Sequence, residues 1–113
     1  TGATLRYIPI NEKGELVLHS LEEIIDEHTA MVAFNHISNS LGTINPVSTI
    51  LARAKAVGAW TLVDGAQSGP HAKVDVQEWD VDFFTLASHK MYGPTGLGVL
   101  YGKRERLEAL PPY

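Results

Sequence analysis

Hydrophobic and polar positions along this chain change their period several times, and each change marks an element. Leu5-Arg6-Tyr7-Ile8-Pro9-Ile10 alternates and is rich in strand formers, with Pro9 demoting it to an edge or irregular strand. After the turn Asn11-Glu12-Lys13-Gly14, the run Ser20-Leu21-Glu22-Glu23 matches a capping box, in which serine and glutamate satisfy each other's free amides. A short helix to about Glu27 is expected there, with Leu21, Ile24 and Ile25 as its apolar face. Thr29 to Phe34 is a compact apolar run, a buried strand that empties into the polar loop Asn35-His36-Ile37-Ser38-Asn39 around Gly42. Beyond Pro46, positions Val47, Ile50, Leu51, Ala54 and Val57 fall on helical spacing, and Gly58 stands where a left-handed cap belongs. This is the clearest helix in the sequence.

Trp60 to Val63 makes another short buried strand, ending on Asp64-Gly65-Ala66-Gln67. Ser68 to Gln77 has no regular period and reads as irregular. Phe83 to Ala87 is an apolar run that delivers Ser88, His89 and Lys90 to the lip of a glycine- and proline-rich turn. Gly96 to Tyr101 follows as a further strand, and Arg104 to Leu110 as a closing amphipathic helix. Strand, helix, strand, helix, strand predicts an α/β fold: three layers around a largely parallel sheet with right-handed crossovers.

Length changes this picture little, since 113 residues are about one domain, here read as residues 1–113. A start at Thr1 that already approaches a strand makes the chain read as a central fragment of a longer one. A net charge of -4 with few, scattered basic residues gives no reason to expect nucleic acid or a membrane surface. No apolar run could span a bilayer and no signal-peptide pattern opens the chain, so a cytoplasmic location is the expectation. The absence of cysteine excludes disulfides, thiolate metal sites and a cysteine nucleophile within these residues. His19, His28, His36, His71 and His89 show no compact ligand spacing, so no metal site is expected.

Candidate chemistry lies where the buried strands end. In open parallel sheets ligands bind beyond the carboxyl ends of the strands. Three such ends carry Asn39, then Asp64 and Gln67, then Ser88, His89 and Lys90. Taken singly each has an ordinary reading: Asp64-Gly65 and Asn39 are turn formers, and Lys90 alone is a surface lysine. Together, an acid, two amides, a hydroxyl, an imidazole and a lysine suit pyridoxal phosphate, in which lysine forms a Schiff base and a carboxylate partners the pyridinium nitrogen. In that scheme Gln67 and Asn39 bond the phenolic oxygen or the substrate carboxylate, and Ser88 and His89 donate to the phosphate. The run Gly93 to Gly98 completes neither the Walker nor the dinucleotide spacing.

Order and spacing also carry a resemblance. His36-Ile-Ser-Asn-Ser-Leu-Gly-Thr43, Val63-Asp-Gly-Ala-Gln67 and Ser88-His-Lys-Met-Tyr-Gly-Pro-Thr-Gly-Leu-Gly-Val-Leu-Tyr-Gly-Lys103 together resemble the group II, SufS-like cysteine desulfurases of the class V aminotransferase superfamily. The resemblance implies the large domain of a pyridoxal-phosphate enzyme of fold type I. Lys90 matches the Schiff-base lysine, Asp64 the ring-nitrogen partner, Gln67 the phenolic-oxygen contact, His89 a phosphate contact and Asn39 an asparagine near cofactor and substrate. One position departs, because the hydroxyl usual three residues before the lysine is Ala87 here and Ser88 stands two before. The implied parent enzyme converts L-cysteine to L-alanine, passes sulfur as a persulfide to an acceptor protein for iron-sulfur cluster assembly, and is a homodimer. Its persulfide-forming cysteine lies outside these residues, so the 113-residue chain alone is expected to be inactive. A selenocysteine lyase or another class V aminotransferase or lyase shares the same lysine and aspartate, and a non-catalytic binding or scaffold module is the alternative of a different class.

Overall fold

The computed structural model describes residues 2–112. Strands β1 (Met31–Asn35), β2 (Trp60–Asp64), β3 (Phe83–Ala87) and β4 (Gly98–Gly102) form one four-stranded sheet in that order. β1, β2 and β3 are parallel, and β4 returns antiparallel to β3. The helices are α1 (Leu21–Ile24), α2 (Val47–Ala56), α3 (Ser68–His71), α4 (Val76–Trp79) and α5 (Arg104–Ala109). The largely parallel α/β sheet expected from the sequence is present, with β1–α2–β2 as its plainest crossover unit.

Side chains alternate across strands, and the two faces of this sheet are covered unequally. Val32, Phe34, Val63 and Phe84 point to one face, where Ile50, Leu51 and Ala54 of α2, Leu21 of α1 and Trp79 of α4 bury them. Burying such a side chain contributes roughly 1.5–3 kcal/mol, so this face is the core. On the other face α5 provides cover: an added Cβ on Gly102 would lie 2.7 Å from Leu107 and 3.1 Å from Phe83, and the Arg106 guanidinium lies 5.0 Å over Trp60. Met31 and Leu100 on that face remain exposed.

Helix α2 ends as its sequence dictates. Gly58 takes φ 75°, its amide bonds the Lys55 carbonyl at 3.0 Å, and the Ala59 amide reaches back to Ala54 at 3.0 Å, which is a Schellman closure. Three other expectations are corrected. Leu5 to Ile10 pairs with no strand apart from a single bridge between Ile10 and Leu16, because Pro9 has no amide to donate; its carbonyl accepts from Val17 instead. The capping box does not form: Ser20 has helical backbone angles at the end of a 3-10 turn, its hydroxyl donates to the Val17 carbonyl at 2.7 Å, and α1 stops at Ile24. Ser68 to Gln77 holds α3 and the start of α4, whose entry is capped by Asp75 accepting from the Gln77 and Glu78 amides at 3.0 and 2.9 Å.

A charged cluster ties the amino ends of β2 and β3 to α5. Buried Asp82 accepts from the Thr61 amide at 2.9 Å and its hydroxyl at 3.0 Å, and from Arg106 Nε at 2.9 Å. Burial alone would raise the Asp82 carboxyl, but the bonds from Arg106 and Thr61 outweigh it and hold it below the usual range. Asp80, left-handed at φ 51°, pairs with Lys103 and Lys55, whose hydrogen bonds bring its carboxyl down to about 2.

Candidate active site at the carboxyl ends of the strands

Register places the site. Asn35 pairs with Asp64 and Asp64 with Thr85, so β1 and β2 finish level with one another and β3 runs two residues further, to Ala87. The polar residues that follow β1 and β2 therefore start from one row, and those that follow β3 start just beyond it.

After β1 the chain makes a narrow loop. An antiparallel bridge joins Ile37 to Ile44, the Ser38 amide bonds the Thr43 carbonyl at 2.9 Å, and Gly42 turns the loop at φ 73°. Buried Asn45 anchors its base, donating through its side chain to the Asn35 carbonyl at 2.7 Å and through its amide to the His36 carbonyl at 2.8 Å. Asn39 is carried at the exposed tip. Sequence reasoning missed Asn45, whose only signal was an asparagine directly before Pro46.

After β2, Asp64 is exposed and one of its oxygens accepts the Ala66 amide at 2.8 Å. Its other oxygen has no partner among the described residues. Gly65 is fixed by packing, since an added Cβ would lie 1.9 Å from the Phe84 ring. Gln67 caps α3 and donates from Nε2 to Asn39 Oδ1. After β3, residues Ser88–Lys90 form a 3-10 turn. Lys90 Nζ reaches the same Asn39 oxygen at 3.4 Å and makes no ion pair among the described residues.

The structure thus brings Gln67 and Lys90 to the same oxygen of Asn39, with Asp64 at the end of the middle strand. It does not bring Ser88 into that group, because the Ser88 hydroxyl donates to the carbonyls of Pro94 and, at 3.0 Å, Leu97. His89 is exposed with no side-chain hydrogen bond among the described residues. His36, given no role from sequence, is buried: its ring meets Trp79 edge-on at 5.0 Å, its Nδ1 has no hydrogen-bond partner among the described residues, and burial lowers its pKa. No group of residues able to hold a metal ion occurs among the described residues.

A family model for class-V aminotransferases matches residues 1–113. The chain belongs to the class-V aminotransferase family. Within that family it is 54% identical over 112 residues to a cysteine desulfurase of Pectobacterium carotovorum, covering 99% of this chain and 28% of the relative. It is also 54% identical to a probable cysteine desulfurase of Halalkalibacterium halodurans, again over 99% of this chain and 28% of the other. Among solved structures, the Escherichia coli cysteine desulfurase CsdA superposes with a TM-score of 0.88 at 39% identity, over 94% of this chain and 27% of CsdA. A structure of SspA in complex with cysteine gives 0.89 at 32% identity, over 98% of this chain and 32% of SspA. The class-V fold is therefore shared, and the chain spans a little over a quarter of the length of the relatives it matches.

Proposed function

We propose that these residues form the lysine-bearing part of a pyridoxal-phosphate enzyme that removes sulfur from L-cysteine. The observation that carries the reading is the convergence of Lys90 and Gln67, from two strand ends, on the side-chain oxygen of Asn39 beyond a third, with Asp64 at the end of the middle strand. The donor set fits pyridoxal phosphate. Lys90 Nζ makes no ion pair among the described residues, which leaves its amine free to hold an aldehyde, and Asp64 keeps one carboxylate oxygen available for a protonated ring nitrogen. Names of the similar proteins, cysteine desulfurase above all, favour L-cysteine as substrate.

Pyridoxal phosphate bound there supplies a sink for electrons released when bonds at an amino acid's α-carbon break. Asp64 would hold a proton on the ring nitrogen. Gln67 Nε2 and the Asn39 amide would orient the ring's oxygen and the substrate carboxylate. Lys90 would hold the cofactor and, when freed, move a proton to and from the α-carbon through Nζ. His89 is the side chain of this set left to meet a phosphate. Cytoplasmic location, a homodimer, a sulfur-acceptor protein and iron-sulfur assembly belong to the same proposal, the last three as what the resemblance implies.

Visible absorbance tests it. The whole protein, mixed with pyridoxal phosphate, should show a visible band that borohydride traps on Lys90, and Lys90→Ala should abolish both. A band of unchanged intensity in Lys90→Ala would refute the assignment.

A further inference from the structure

Every polar group of Ser88 is engaged inside the loop that returns from β3 to β4. Its amide donates to the Leu97 carbonyl at 3.2 Å, and its own carbonyl accepts from the Met91 and Gly93 amides at 2.8 and 2.9 Å. Its hydroxyl has one proton, shared between the carbonyls of Pro94 and Leu97. These bonds enclose Lys90 on one side and bridge Tyr92 on the other. Tyr92 has φ 62° with a fully exposed ring, a backbone state that a non-glycine residue keeps only where its surroundings impose it. Gly93 lies so close that an added Cβ would come within 3.1 Å of both the Ser88 carbonyl oxygen and its Cβ.

We propose that Ser88 is a positioning residue. Its side chain pins the 91–97 loop and so sets the direction in which Lys90 leaves β3, and it is not a ligand of the cofactor's phosphate. An anionic phosphate requires donors, and the only proton on this hydroxyl already faces two backbone carbonyls. The inference rests on Lys90 as the cofactor's attachment point, and the tests below separate the two.

Three variants of the whole protein decide it: Ser88→Ala, Ser88→Thr and Lys90→Ala. Binding of pyridoxal phosphate and of pyridoxal, which lacks the phosphate, is followed by visible absorbance after subtracting the Lys90→Ala signal. Ser88→Ala should weaken both ligands by the same factor, roughly three- to tenfold for one lost hydrogen bond. It should also move the pH midpoint of the visible band, and Ser88→Thr should restore both. Hydrogen exchange of amides 91–97 in cofactor-free protein should quicken in Ser88→Ala. A loss confined to pyridoxal phosphate, with pyridoxal unaffected, would show a phosphate contact and overturn the proposal, as would unchanged exchange. If Lys90→Ala keeps the visible band, the attachment-point reading falls, and the exchange measurement alone then judges the pinning.

Discussion

His36 illustrates how much a single side chain can depend on where a strand ends. It is the first residue beyond β1, its amide bonded to the Asp64 carbonyl at 2.9 Å, and its ring is turned into the core against Trp79 with Nδ1 unpartnered among the described residues. Burial favours the neutral ring and lowers its pKa from 6.5. The unfolded chain therefore binds the proton more readily. Stability associated with the neutral ring is intact above about 6.5 and is lost as pH falls from there through the lowered folded value. His36→Phe keeps an aromatic edge and removes the unsatisfied nitrogen, so it should lose less stability between pH 7 and pH 5 than the parent, measured by urea midpoints. Equal losses would count against a buried neutral His36. At this scale the sequence was legible in residue type and opaque in use. Gln67 and Lys90 both reach the Asn39 side chain from the strand ends that carry them, whereas the partners of Ser88 are backbone carbonyls six and nine residues on, which no side-chain pattern announces.

Among the elements, α2 and the three apolar strands were readable because a sustained period reports a buried face. The four-residue helices α3 and α4 were not, since one turn carries no period; the Asp75 cap was the available signal. Nor did the pattern reveal that α5 is joined to β2 and β3 through Asp82. That carboxylate is 7% exposed, and Asp82→Ala would leave the Thr61 hydroxyl and the Arg106 guanidinium without it. With Arg106 about a third exposed, solvent screens part of the loss, and a destabilisation of about 2–4 kcal/mol is expected by denaturant titration. Arg106→Met should cost clearly less, because Thr61 still satisfies Asp82 and the methionine still covers Trp60. A larger cost for Arg106→Met would place the weight of this cluster on the cation.

Taken whole, the sheet is covered by α2 and its neighbours over β1, β2 and β3 and is open along β4. β4 exposes Val99 at 55% and Leu100 at 52%, which point to opposite sides of the sheet, and the adjoining Leu97 is 61% exposed. Such surface, next to strands with unpaired edges, favours association. The 113-residue chain on its own should self-associate in sedimentation. A clean monomer over the accessible concentration range would show that the open strand is tolerated.

The return of β4 against β3 also bears on how the site comes into being. Residues 88–97 form a closed hairpin loop, so the lysine is held by contacts between near neighbours in sequence, whereas the pairing of β1 with β2 must close a segment spanning all of α2. Closing a short loop costs less chain entropy than closing a long one. The anchor of the site can thus take shape early and locally, while the carboxylate and amides that face it arrive only when the longer pairings form.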